Sequence, residues 1–149
     1  MSRARSRSAA RLAAVQALYQ REMEATPVAK LLHEFHQHRL GATIEDATYA
    51  DAEVDFFNDV VKGVDARQAE IDALISANLG PGWTLGRLDR SLRQILRAGA
   101  YELLARPDIP TGSVIGEYLD VAHAFFAPKE KKFVNGVLDA VARSVRHDA

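Results

Sequence analysis

Apolar residues recur at steps of three and four along most of the chain, and polar punctuation separates one periodic run from the next. That spacing is the α-helical one, in which side chains return to the same face every ~3.6 residues. The first run, about Ser6 to Glu24, turns Leu12, Val15, Leu18 or Tyr19, and Met23 inward. Thr26 and Pro27 suit the N-cap and first turn of a shorter second helix, which carries Val28, Leu31, Leu32, Phe35 and Leu40 to a stop at Gly41. Ala42 to Ala50 has no helical period and reads as a linker. Asp51 to Asn78 is the longest run, with Val54, Phe57, Val61, Val64, Ile71 and Ile75 or Leu74 in line and Gln68 as its one interruption. Gly63 inside it costs about 1 kcal/mol relative to Ala, which points to close approach of a neighbouring helix.

Asn78, Gly80, Pro81 and Gly82 end that run and mark the boundary between two halves, about 1–79 and 83–149. A fourth helix, Leu85 to Leu104, carries Leu85, Leu88, Leu92, Ile95, Gly99 and Leu103 on one stripe widened by Leu96 and Leu104. Pro107, Ile109 and Pro110 mark a connection. A fifth helix starts near Thr111 with Ile115, Tyr118 or Leu119, Ala122 and Phe125 or Phe126 inward. The sixth starts near Pro128, a residue suited to a first helical turn, and aligns Phe133, Val134, Val137, Leu138, Val141 and Val145. No sustained period-two alternation and no hairpin signal between β-branched runs competes with this pattern. The expected fold is all-α, with six helices in two packed three-helix bundles split near Gly80 to Gly82.

At 149 residues, 48% hydrophobic and 26% charged, the chain can bury one good core or two small ones that share an interface. It has no apolar run of the roughly 18 residues that would span a bilayer. Its start, SRARSRSAARLAA, has the composition of a mitochondrial presequence but runs directly into core spacing, so it reads as part of the fold. The absence of cysteine excludes disulfides and thiolate metal sites and fits a cytoplasmic location. The net charge of −1 conceals an asymmetry: +4 over residues 1–44, −7 over 45–82 and +2 over 83–149. A nucleic-acid surface is therefore expected where the two basic ends come together.

Lys129, Lys131 and Lys132 crowd the first turn of the last helix, where positive charge opposes the helix dipole unless an anion sits there. Arg3, Arg7 and Arg11 line one side of the first helix with no acid before Glu22. Both sets suit phosphate contact, and both also suit a solvated face. Tyr19, at the edge of the apolar face, reads as a core-edge tyrosine with a wet hydroxyl. Arg90, Arg93 and Arg97, with Asp89 four residues before Arg93, read as a helix-surface charge pattern. His33, His36 and His38 lack the further ligands a metal needs, and the glycines at 80, 82 and 86 lack phosphate-loop spacing. His123 has no serine at a motif spacing, and Glu117 and Asp120 read as surface acids. Neither an enzyme nor a cofactor is expected.

Several segments in order resemble the NusB family of bacterial transcription antitermination factors: the Arg-rich start leading to AVQALYQ (Ala14 to Gln20), FFNDVVKGV (Phe56 to Val64), WTLGRL (Trp83 to Leu88), ILRAGAYELL (Ile95 to Leu104), IGEYLDVAHAF (Ile115 to Phe125) and KFVNGVLD (Lys132 to Asp139). The resemblance covers nearly the whole chain. It implies two three-helix bundles, no catalysis and no cofactor. It also implies binding of boxA, a short single-stranded RNA element of ribosomal RNA leaders, together with the ribosomal protein NusE, within an RNA polymerase antitermination complex, with homodimerisation as a further expectation. By that analogy Arg5, Arg7, Arg11, Gln16 and Tyr19 face RNA alongside Lys132, Phe133 and Asn135, with Lys131 joining from the lysine cluster. Tyr19 and Phe133 become base-stacking candidates, although Phe133 also fits the core period. Leu92, at a position often acidic in the family, and Arg93 are expected to face the protein partner. Gly116 replaces the Asn usual in I-N-E, and Pro128 and Lys129 make the loop before KFVNG unusual. Two other readings stand beside this one: a protein-interaction module that never touches RNA, and the RNA-binding domain of a ribosomal RNA cytosine methyltransferase.

Overall fold

A computed structural model describes residues 3–36 and 50–146, and the side chains of residues 6–36 and 54–146. The described residues form seven α-helices and no strand: α1 (Arg3–Glu24), α2 (Val28–Phe35), α3 (Ala50–Ala66), α4 (Gln68–Ala77), α5 (Arg90–Ala105), α6 (Thr111–Phe125) and α7 (Pro128–Val145), with a 3₁₀ turn at Leu85–Arg87. Leu40, Gly41 and the expected linker up to Tyr49 lie outside the described residues, as does His38.

The chain is all-α, as its periodicity requires, and the helix boundaries show where local chemistry overrides period. The long run expected over Asp51 to Asn78 is two helices, because Arg67 leaves helical geometry (φ −116°, ψ 22°) one residue before Gln68. Likewise α5 starts at Arg90, not Leu85. The Asp89 carboxylate accepts from the backbone N–H groups of Ser91 and Leu92, so it caps the helix and does not pair with Arg93. Pro128 sits in the first turn of α7, where its missing N–H costs nothing.

α1 packs most extensively on α3 and also against α2, α5 and α6, while α5, α6 and α7 pack on one another and α4 lies on α5. A single apolar core runs through these contacts, from Leu18, Leu31 and Phe57 to Ile95, Leu103, Tyr118 and Leu138. The close approach expected at Gly63 is made by Tyr101: a Cβ on Gly63 would meet the Tyr101 ring at 2.2 Å. The Tyr101 hydroxyl donates to Asp59 at 2.6 Å. Burial, and then that carboxylate, push the Tyr101 pKa up to about 12.

Two polar clusters tie α1 to α5. Arg11, 4% exposed, donates through Nε and Nη2 to fully buried Glu102 at 2.9 and 3.0 Å and through Nη1 to Glu117 at 2.7 Å. Glu102 also accepts from the hydroxyl of buried Tyr118. One helical stretch away, Glu22 accepts from Arg93, Gln94 and Arg97 at 3.0–3.3 Å, and Arg97 holds Asp72 of α4 at 2.8 and 3.0 Å. A third clasp lies at the end of α5, where Arg146 donates to the carbonyls of Glu102, Leu103, Arg106 and Ile109 at 2.7–3.2 Å.

Candidate nucleic-acid interface

Two clefts flank the first turn of α5, and the side chains on their walls come from the segments that the sequence singled out. The first, about 340 Å³, is lined by Gln16, Tyr19 and Met23 of α1, Ser91 of α5 and Phe125 of α6, over buried Val15 and Phe35. The second, about 290 Å³, lies between Trp83, Leu88 and Leu92 on one side and Lys129 and Phe133 of α7 on the other. Tyr19 and Phe133 therefore stand on neighbouring clefts, with Ser91 in one and Leu92 in the other. Phe133 is half-buried, packing against the core and 6.0 Å from the Trp83 ring, while Lys132 and Asn135 are exposed. Lys131 is half-buried, with Nζ donating to His123 Nδ1 at 3.5 Å.

The arginines of α1 are arranged differently from the expected stripe. Arg11 is turned inward, since the buried carboxylate of Glu102 supplies the charge partner that the local sequence lacks; it is not a surface phosphate contact. Burial is the largest single influence and opposes its charge, but the hydrogen bond and charge of Glu102, with Tyr118 and Glu117 adding to them, together outweigh it and the net pKa shift is upward. Arg7 is half-buried, its guanidinium 4.8 Å over the Phe56 ring, and it lines a separate cleft of about 670 Å³ with Ile109, Pro110, Gly112 and Gly116 at the start of α6. Along α1 it stands roughly 18 Å from Tyr19 at about 1.5 Å per residue. The side chain of Arg5 lies outside the described residues.

Other expectations are revised by burial. Arg97 is 6% exposed and belongs to the interior cluster around Glu22, not to a surface charge pattern. Arg93 is mostly covered, its guanidinium shared between Glu22 and the Leu88 carbonyl, so it presents no free fork to a protein partner. Leu92 is 7% exposed and lines the Trp83 cleft. Glu117 is not a simple surface acid, because it accepts from Arg11 and, at 2.5 Å, from the Ser8 hydroxyl. Met23, expected inside, is 44% exposed. Trp83 and Phe125 were missed as surface groups. Their signal was present, since each sits where the apolar stripe runs into a helix end or Gly/Pro punctuation. Among the described residues no cluster of His, Cys, Asp or Glu has the makings of a metal site, and no helix is long and apolar enough to cross a membrane.

The class of protein defined here is an all-helical one whose exposed aromatics and α7 lysines gather around the start of one central helix. The chain belongs to the NusB family, whose model matches residues 8–143. It is 68% identical over 97% of its length to the transcription antitermination protein NusB of Sphingopyxis alaskensis, 97% of which is covered. It is 48% identical to the protein of the same name from Rhizobium etli over 98% of this chain and 91% of that one. Among solved structures it resembles T. maritima NusB, with a TM-score of 0.80 and 31% identity over 99% of this chain and 96% of that one. It also resembles antitermination factor NusB solved with NusE and double-stranded RNA, with a TM-score of 0.78 and 26% identity over 94% of this chain and 98% of that one.

Proposed function

We propose that this chain is a transcription antitermination factor that binds a boxA-type single strand of ribosomal RNA leaders together with NusE, and that it catalyses no reaction. The observation that carries the reading is the pair of clefts around the start of α5, which set Gln16 and Tyr19 beside Phe125, and Phe133 beside Trp83 and Lys129. Unpaired bases are held by stacking on such aromatics next to basic groups. Exposed Lys132 and half-buried Lys131 supply phosphate contacts at the first turn of α7, where the helix dipole also favours an anion. Arg7 lies apart from these lysines, in a cleft at the start of α6 that it shares with Asp108, Glu117 and Asp120, and Asn135 offers an exposed amide. Arg11 is left out of this face and holds it up from inside. The contact with NusE, and through it the antitermination complex of RNA polymerase, is assigned to the rim around Trp83 and Leu92.

The relative solved with double-stranded RNA makes strandedness the feature to test. Purified protein is titrated with a fluorescent boxA-type single strand, a scrambled strand and the corresponding duplex, each with and without NusE. Tightest binding of the boxA strand, strengthened by NusE, supports the reading. Equal affinity for all three RNAs, unaffected by NusE, refutes it.

A further inference from the structure

Methionine occurs only at Met1 and Met23, so Met23 is the one internal thioether of the chain. Methionine is usually buried, yet Met23, in the last turn of α1, is 44% exposed and borders the cleft of about 340 Å³ beside the start of α5. Its sulfur has a cationic neighbour. Arg90, the first residue of α5 and 56% exposed, donates through Nη1 to Met23 Sδ at 2.8 Å. A thioether is a weak acceptor, so the guanidinium keeps most of its donor capacity there. The adjacent carboxylate draws it away only weakly, since Glu22 is engaged by Arg93, Gln94 and Arg97 at 3.0–3.3 Å and stands 3.9 Å from Arg90 Nε.

A solvent-reachable thioether beside a charged donor suits oxygen transfer from a peroxide. The sulfur lone pair attacks one oxygen of hydrogen peroxide as the O–O bond breaks and the S–O bond forms. The sulfur gives up two electrons, the departing oxygen takes them, and the proton on the transferred oxygen passes to the departing hydroxide, so that one thioether and one peroxide give one sulfoxide and one water. Negative charge develops on the departing oxygen, and a guanidinium already at the sulfur is placed to donate to it. The sulfoxide oxygen is then a much stronger acceptor than the sulfur was, and its bond to Arg90 is charge-assisted. Because Met23 lies at the surface, the polar product does not have to be buried, and sulfoxide formation is enzymatically reversible.

We propose that Met23 is a reversible oxidation site for small peroxides, that Arg90 promotes the oxygen transfer and then holds the sulfoxide, and that the modification tightens the tie between the end of α1 and the start of α5. The proposal does not depend on the RNA-binding reading above.

The test treats purified protein with graded hydrogen peroxide and follows oxygen uptake at Met23 by mass spectrometry of its peptide in wild type, Arg90→Ala and Arg90→Lys, with circular dichroism confirming each fold. Wild type should gain one oxygen at Met23 and lose it again on treatment with methionine sulfoxide reductases. Arg90→Ala should oxidise about 2- to 10-fold more slowly, the worth of one hydrogen bond. Arg90→Lys keeps a cationic donor and should stay near wild type. In heteronuclear NMR spectra the Arg90 side-chain signal should shift when wild type is oxidised and stay in place in peroxide-treated Met23→Leu. An Arg90→Ala rate equal to or above that of wild type would show that Arg90 only shields the sulfur. That result, an unmodified Met23 at peroxide levels that convert free N-acetylmethionine, or an Arg90 signal unmoved by oxidation overturns the proposal.

Discussion

Replacing Glu102 by Ala should be among the most damaging single changes in the protein, although Glu102 contacts no solvent. Its carboxylate is fully buried and accepts two bonds from Arg11, at 2.9 and 3.0 Å, and one from the Tyr118 hydroxyl. Removing it leaves a 96%-buried guanidinium with Glu117 as its remaining acid and strands a tyrosine hydroxyl that burial and Glu102 hold well above its usual pKa. Breaking one side of a buried ion pair costs about 3–5 kcal/mol. A domain has about 5–15 kcal/mol in total, so the variant should lose a large fraction of its stability and about 10 °C or more in Tm. Glu102→Gln keeps the shape and an acceptor and should fall between. The triple change Arg11→Met, Glu102→Leu and Tyr118→Phe removes charge and partners together and should recover most of the loss, because desolvating an ion pair offsets much of its attraction. The assay is urea denaturation followed by circular dichroism at neutral pH. A Glu102→Ala midpoint within error of wild type, or a triple variant no more stable than Glu102→Ala, would refute the argument.

Gly63→Ala places a methyl 2.2 Å from the Tyr101 ring and should cost about 1–3 kcal/mol by overpacking, read as a lowered denaturation midpoint. Arg146→Ala frees four carbonyls near the end of α5 and should cost about 2–3 kcal/mol, with Arg146→Lys failing to restore it because an ammonium lacks the planar fork; thermal melts of both variants check this. Tyr101 has a folded pKa of about 12 against an ordinary 10.0, so its neutral form stabilises the fold fully below pH 10 and that contribution is lost as the pH rises toward 12. Tyr101→Phe should make stability fall less steeply across that window in denaturation curves taken at successive pH values.

The all-helical class and most inward faces were legible because a period of about 3.6 needs only local sequence, whereas the break at Arg67 that makes seven helices of the expected six was not. Pro128 and Gly63 were legible for the same reason, as each carries a backbone constraint that the fold must accommodate. Arg11 was not legible. Its partner Glu102 lies 91 residues away, so an arginine stripe without nearby acids looked like surface. Arg97 was misjudged in the same way, since Glu22 and Asp72 reach it from other helices. Asp89 misled because the i,i+4 pairing rule and the capping rule compete for one carboxylate, and the backbone N–H groups won. In the candidate site, Tyr19 was visible as a helix-edge aromatic, whereas Phe133 lay on the inward stripe and stood out only through the family resemblance. Phe125 was read as one of two alternatives for the inside, a choice that turned on how α6 ends.

Salt dependence of RNA binding tests the central claim most directly, because phosphate contacts and stacked bases respond to it differently. Binding of a boxA-type single strand is measured across a salt series for wild type, Tyr19→Ala and the double variant Lys131→Ala, Lys132→Ala, each shown to be folded. Each phosphate neutralised on a single strand contributes roughly 0.7 to the log–log slope, so losing two lysine contacts should flatten it by about 1.4. Tyr19→Ala should lose about 1–3 kcal/mol of affinity at every salt concentration with the slope unchanged. A lysine variant that kept the wild-type slope, together with a folded Tyr19→Ala that bound as wild type, would place the RNA on another face of the protein.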